Sequence, residues 1–447
     1  MTTFDQILPT ATKVLEEQPE LVTQLDWLAI NRDLNGRVRF IVPESIVAND
    51  DQRGQVEALY QALATQIAPH ASPVESGILY EASCDDVCPG GARYPLKGFD
   101  KVWVVDRLAT EGNWAQIASE TEGARRIVFF SIKGGVGRST ALAACAWKLA
   151  QLGKRVLVLD LDLESPGLSS SLLPAERQPM YGITDWLVED LVDNADGVLD
   201  GMVATSDLSR DGQIYVVPAR GADAGEYIAK LGRVWMPKVG SDGSREQWPA
   251  RLHRLLQALE ARIQPDVVLI DSRAGIDEVA SGCVTGLGAN LILLFALDGS
   301  QTWSGYRILF DHWLRSSVAE RIRERLQIVA ALVPDLNPAT YLEDLRERAY
   351  DLFIETLYDE IPPSSRVENY RQGQEGWSFD LANELAPHMA WAVRWHRGFE
   401  ALFTLHGRLA QVDDEEVRHV FGDLIGQILR YLGWNDGYPK AIDGGGL

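Results

Sequence analysis

Residues 126–140 read Arg-Ile-Val-Phe-Phe-Ser-Ile-Lys-Gly-Gly-Val-Gly-Arg-Ser-Thr, an apolar run that breaks into a glycine-rich turn and then an alanine-rich stretch. The pattern predicts a strand, a tight turn and a helix starting near Ser139, which together gather backbone N–H groups around a concavity. Gly134, Gly135 and Gly137 let the chain turn there without a Cβ penalty. The following helix adds the positive end of its dipole, so a phosphate chain would sit in the concavity with little further help. Lys133 opens the turn, and Arg138 stands where such loops commonly carry lysine. Arginine is a planar fork and lysine a compact point charge, so that exchange is not conservative.

Two further motifs follow in order. Residues 155–167 read Arg-Val-Leu-Val-Leu-Asp-Leu-Asp-Leu-Glu-Ser-Pro-Gly, after a helix expected over 140–152 and a Gly-Lys turn. This completes the strand–loop–helix–strand unit that a parallel sheet requires. Asp160 and Asp162 leave its carboxyl end, where open α/β sheets place their ligands. In residues 266–275, Asp-Val-Val-Leu-Ile-Asp-Ser-Arg-Ala-Gly, four apolar residues ending in a carboxylate describe a buried strand that delivers Asp271 to the same end. Taken singly, a glycine-rich loop can be a plain turn and an aspartate after a strand a helix cap. Three such motifs in order, each after an expected parallel strand, point to nucleotide binding. Magnesium prefers one or two carboxylates or hydroxyls plus phosphate oxygens and waters, which suits Ser139 with Asp271.

Over roughly residues 125–335 the chain resembles the MinD/ParA-type P-loop ATPases. Their deviant Walker A motif reads KGGVG, then Lys, then Ser or Thr, and the chain matches it except at Arg138. A KGGVGR variant of the family occurs among bacterial proteins, and the chain is similar to these. The resemblance implies ATP held by Gly134, Gly135, Val136, Gly137, Arg138, Ser139 and Thr140. It implies Mg2+ at Ser139 and Asp271 with Asp160 close by, and Asp162 orienting the attacking water in a first switch segment. Ser272 to Gly275 would form the second switch, where MinD-like proteins carry proline in place of Arg273. Lys133 matches the signature lysine that reaches across a sandwich homodimer to the partner's nucleotide, much as an arginine finger acts in trans. Without the resemblance it reads as an exposed lysine flanking the loop. Asp162, Lys133 and Arg138 are thus the catalytic candidates. Adenine would lie against the loop after the last core strand, near Val333, Pro334 and Asn337. Arg138 leaves two outcomes open, a slow ATPase switch or a nucleotide-binding scaffold that barely hydrolyses. Bacterial tyrosine kinases share the fold but carry a C-terminal tyrosine cluster, whereas this tail holds only Tyr431 and Tyr438.

Asp and Glu number 64 against 42 Lys and Arg, a net charge of −22, which argues against non-specific nucleic-acid binding. The four arginines of Arg315–Arg325 are expected on a solvated helix face. No apolar stretch reaches spanning length and the N-terminus lacks a signal pattern, so a cytoplasmic protein with no stable membrane anchor is expected. The last helix, over 415–433, reads as packed on its domain. Cysteines 84, 88, 145 and 283 are too few for a disulfide framework and suggest a reducing compartment. Cys145 reads as buried packing. Cys84 and Cys88 are either an ordinary loop or half of a zinc site shared across a dimer.

With 447 residues and 46% hydrophobic content, two or three domains are expected. Residues 1–122 combine a helical stretch (Phe4–Leu28), a strand (Arg37–Val42), a helix (Gln52–Ile67) and apolar runs at Gly77–Tyr80 and Lys101–Asp106. They form an N-terminal α+β domain, expected to regulate or bind a protein partner. Residues 123–335 form the α/β core, a doubly wound, mostly parallel sheet of at least six strands with Val239–Arg245 as an exposed loop. Residues 336–447 form a helical C-terminal extension, in which Trp377, Trp391 and Trp395 serve as core or as a partner interface. His388 reads as a structural hydrogen bonder.

Overall fold

The structure is a computed structural model that describes residues 2–87, 93–107, 113–240, 242–360, 376–399, 405–411 and 414–434. They form two compact units, one from residues up to Gln116 together with His312–Val318, the other from Ile117–Asp311 with Ala319 onward.

In the first unit, helices α1 (Ile7–Glu16) and α2 (Asp50–Ile67) accompany strands β1 (Leu28–Arg32), β2 (Val38–Pro43), β3 (Ile78–Glu81), β4 (Arg93–Pro95) and β5 (Val102–Asp106). The sheet order is β3-β2-β1-β5-β4, with β1 antiparallel to β2 and parallel to β5. Alternate residues Phe40 and Val42 of β2 and Val102 and Val104 of β5 join Val14, Leu15, Leu59 and Leu63 in one core, as the two-residue strand period demands. Asn49 caps α2 by accepting the Gln52 N–H at 3.2 Å. The expected helical stretch stops at Gln24, and Leu28–Arg32 is instead the central strand. All five of its residues are buried, and a short apolar run of this kind reads alike as helix or strand. Cys84 opens a short helix, Cys84–Val87, while Cys88 lies outside the described residues.

The second unit is built on an eight-stranded sheet. Its strands are β6 (Arg125–Ser131), β7 (Arg155–Asp160), β8 (Ala204–Thr205), β9 (Gln213–Val217), and, after a separate hairpin of β10 (Lys238–Val239) and β11 (Arg245–Glu246), β12 (Val267–Ala274), β13 (Leu291–Ala296), β14 (Leu326–Val333) and β15 (Trp391–Arg394). The order is β15-β14-β13-β6-β12-β7-β9-β8, parallel throughout except for β8 against β9. From β6 the chain winds one way through β7 and β9 and later the other way through β13, β14 and β15. The loop after β6 therefore stands where the strand order reverses, the place at which such sheets open a crevice. Helix α3 (Arg138–Gln151) is buried nearly all round, which its alanine-rich sequence permits by letting neighbours approach closely.

Two expectations change here. The region after residue 336 is not helical throughout, because Trp391–Arg394 adds β15 beside β14. Helix α4 (Asp414–Tyr431) then packs Val417, Phe421, Leu424 and Ile425 into the same core as α3, and Lys148 of α3 pairs with Asp414. Of the four arginines of Arg315–Arg325, Arg315 and Arg321 are exposed as expected, but Arg323 is half-buried and Arg325 buried, so the four do not form one solvated face. Arg321 donates to the Ile117 carbonyl at 2.6 Å, Arg323 pairs with Asp359 at 2.5 Å, and Arg325 donates to the Ala118 carbonyl at 2.9 Å. Val239 and residues 242–245 are exposed, as expected of a loop, and the β10–β11 hairpin frames them, while Lys238 reaches a fully buried Asp190 at 3.1 Å. That carboxylate also takes Arg251 and Arg254 at 2.8 Å each.

Candidate functional site

The turn after β6 takes left-handed backbone at Gly135 (φ +75°) and Gly137 (φ +78°). A Cβ at Gly135 would meet nothing within 4 Å, so the cradle is open there, whereas one at Gly137 would stand 3.3 Å from Leu332 Cδ2. Leu332 itself has φ +50°, where the register of β14 slips between Ala330 and Val333. Left-handed backbone at a non-glycine residue costs about 1–3 kcal/mol and collects at functional sites. Lys133, Gly134 and Gly135 are exposed, while Val136 is buried and pins the turn. Pro334 is half-buried beyond the end of β14, and Asn337 is exposed at φ +55° just before the helix Pro338–Thr356.

Helix α3 begins at Arg138, one residue ahead of the expected start. Its guanidinium is only 8% exposed and turns inward. Nε donates to Asp271 Oδ1 at 2.7 Å, one terminal nitrogen donates to Ser131 Oγ at 3.2 Å, and the other lies 3.8 Å from Asp162 Oδ2. Ser139 Oγ donates to the second oxygen of Asp271 at 2.6 Å. Both oxygens of Asp271 therefore have donors from the first turn of α3. Burial alone would lower the Arg138 guanidinium, but Asp271, then Asp162 and Asp160, outweigh it and keep it charged.

Asp160 is paired in register with Asp271 across β7 and β12 and is wholly buried. One of its oxygens accepts the Ser169 N–H at 3.2 Å, while Oδ1 has no hydrogen-bond partner. Burial first, with Asp271 and Asp162 adding like charge, pushes its carboxyl up to about 7. Asp162 accepts the Ser165 N–H at 3.2 Å and is raised by burial against the pull of Arg138. An orphaned buried carboxylate oxygen, two further carboxylates and a serine hydroxyl beside an open glycine turn make a donor set suited to a hard cation such as Mg2+. Among the described residues no group of three or more His, Cys, Asp and Glu side chains is placed to hold a metal ion by itself.

A family model described as the CobQ/CobB/MinD/ParA nucleotide binding domain matches residues 127–368, more than half of the chain. The chain belongs to the CobQ/CobB/MinD/ParA nucleotide-binding family. The septum site-determining protein MinD of Bacillus subtilis is 27% identical over 168 residues, 37% of this chain and 52% of that protein. The chromosome-partitioning ATPase Soj of Thermus thermophilus is 41% identical over 73 residues, 16% of this chain and 29% of that protein. The chain thus spans about half the length, or less, of these curated relatives. Among solved structures, the cell division ATPase MinD of Pyrococcus furiosus aligns over 69% of this chain and 99% of that one, at 17% identity and a TM-score of 0.42.

In this CobQ/CobB/MinD/ParA member the motif residues Arg138, Ser139, Asp160, Asp162 and Asp271 gather at one end of the sheet, with Lys133 at the rim of the turn. Ser131 and Leu332 were not legible as contributors, since a serine ending a strand and a leucine inside one carry no pattern. A second arginine, placed by the resemblance in the second switch, has a pairing that the sequence did not announce. Arg273 pairs with Glu164 at 2.5 Å, joining the segments that follow β12 and β7. The sequence flags it only as an arginine in an otherwise small-residue motif. No helix among the described residues is long and apolar enough to cross a membrane.

Proposed function

We propose that the chain is a magnesium-dependent ATP-driven switch, which dimerises around bound nucleotide and regulates or positions a protein partner. The supporting observation is Asp271, held between Ser139 and Arg138 directly behind the open glycine turn. Backbone N–H groups of Gly134 to Thr140 would receive the phosphates, and Ser139 and Asp271, with Asp160, would hold the metal. Bound there, magnesium would neutralise charge on the terminal phosphate oxygens. Asp162 would orient the water that attacks the terminal phosphorus, giving ADP and phosphate. Lys133, exposed at the rim, would supply charge to the nucleotide of a second copy. The first unit and the segment after residue 336 are the parts available for a protein partner, and the acidic balance disfavours nucleic acid.

Purified full-length protein is expected to hydrolyse ATP slowly, and Asp162→Ala to trap an ATP-bound dimer by light scattering. A single monomeric mass with and without ATP overturns the dimer. One observation favours a second reading. Arg138 spends its fork on Asp271 and Ser131, which suits a scaffold that binds nucleotide without turning it over. Turnover equal to that of Asp162→Ala, with tight ATP binding kept, decides for the scaffold.

A further inference from the structure

Arg273 stands where β12 leaves the sheet. The register slips between Asp271 and Ala274, Ala274 pairs with Ser131, and the Gly275 N–H donates to the Ser131 carbonyl at 2.9 Å. An irregularity of this kind re-aims the side chains within it, and Arg273 lies inside it, next to the strand that opens into the glycine turn. Its guanidinium meets Glu164 at 2.5 Å and Asp277 at 3.3 Å. Glu164 follows Asp162 by two residues, and Asp277 caps the short helix Glu278–Ser281 by accepting the Ala280 N–H at 2.9 Å. One cation therefore ties together the two segments that emerge from β7 and β12 on the side where the carboxylates gather.

The two arginines of this site are built differently. Arg138 is 8% exposed and its partner Asp271 1%, so neither can part without stranding a buried charge. Arg273 is 32% exposed and Glu164 44%. A half-exposed pair is weak and its members can exchange partners, since water receives whichever is released. The field of Arg273 also reaches Asp162, where it is among the groups that offset burial.

We propose that Arg273 is the residue by which this site tells a nucleoside triphosphate from a diphosphate, exchanging Glu164 for the terminal phosphate. This rests on the nucleotide-binding reading above. A terminal phosphate carries more charge than one carboxylate and offers two oxygens matched to the guanidinium fork, so it outcompetes Glu164. A diphosphate ends short of the arginine and leaves the Glu164 bridge closed. Exchange frees the segment after Asp162 only when the third phosphate is present, so the state of the nucleotide is read out by the loop beside the attacking water.

The test is calorimetric titration of full-length protein, in magnesium, with a non-hydrolysable ATP analogue and with ADP. Arg273→Ala is expected to weaken the analogue about tenfold, the worth of a charge-assisted hydrogen bond, while changing ADP less than about twofold. Glu164→Gln, which frees the arginine beforehand, tightens the analogue, and that gain vanishes in the Glu164→Gln, Arg273→Ala double variant. Retained ADP binding certifies that each variant is folded. Equal losses for both nucleotides, or no loss for the analogue, overturn the role of Arg273 alone. Wild-type protein that takes up neither nucleotide overturns the nucleotide reading and this inference with it.

Discussion

At the scale of single residues the decisive feature is Arg138, a buried cation set among Asp160, Asp162 and Asp271. Removing one member of a buried ion pair strands the other, at a cost of about 3–5 kcal/mol. Arg138→Ala should therefore lower the melting temperature well beyond the effect of a surface substitution. Because the truncated site keeps three carboxylates and Ser139, millimolar magnesium without nucleotide should return part of the lost stability, by more than it adds to wild type. Thermal melts with and without magnesium check this, and a variant indifferent to magnesium means that the carboxylates do not form a cation site. Arg138→Lys should lose less, since the charge stays, though a point charge cannot hold Asp271 and Ser131 together as the fork does.

At the scale of elements, legibility followed periodicity. Strands with four or more apolar residues between turn signals, such as β13 and β14, fell within a residue or two of the expected bounds, because a buried parallel strand leaves that mark. Leu28–Arg32 and Trp391–Arg394 did not, the first because it continues a helical pattern, the second because an edge strand of four residues depends on β14 for its hydrogen bonds. The site was legible as motifs, but its pairings were not. Nothing in the chain announces that Asp190, far from any motif, anchors Lys238, Arg251 and Arg254 with no exposed surface of its own. Burial raises this carboxyl, and the hydrogen bonds from Arg254, Arg251 and Lys238 more than reverse it. Asp190→Ala should cost about 3–5 kcal/mol by leaving Arg251 charged and enclosed, visible as a drop in the urea midpoint. His388 fastens a second element. It accepts the Tyr358 hydroxyl at 2.5 Å through Nδ1 and lies 3.2 Å from the Leu381 carbonyl through Nε2. Burial holds its pKa below the ordinary 6.5, so between that depressed value and 6.5 the unfolded chain binds the extra proton. The stability His388 confers is full above 6.5 and drains away as pH falls. Wild-type melting temperature, taken relative to that of His388→Gln, should decline as pH falls below 6.5, since the raised Asp160 carboxyl acts in the opposite direction in both proteins. His253 and His312, also lowered by burial, contribute equally to both proteins, so the difference isolates His388.

At the scale of the whole molecule the governing number is the net charge of −22. Were two copies to dimerise as proposed, like-charged bodies would come together, and a triphosphate bound at the shared face would add further negative charge. Screening acts on this term strongly, since the Debye length falls from about 30 Å at 0.01 M salt to about 10 Å at 0.1 M. Association limited by overall repulsion therefore strengthens with salt, the reverse of a basic protein on DNA, whose affinity falls steeply as counterions compete. The ATP-loaded Asp162→Ala protein should show a larger dimer fraction by light scattering at about 300 mM NaCl than at about 50 mM. In the same buffers a labelled DNA duplex should remain unbound. A dimer that instead dissolves with salt would mean that short-range opposite charges, Lys133 against phosphate foremost, outweigh the repulsion of the rest. Lys133→Ala would then abolish the salt dependence along with the dimer, whereas under net repulsion the residual association of that variant keeps the same sign of response to salt.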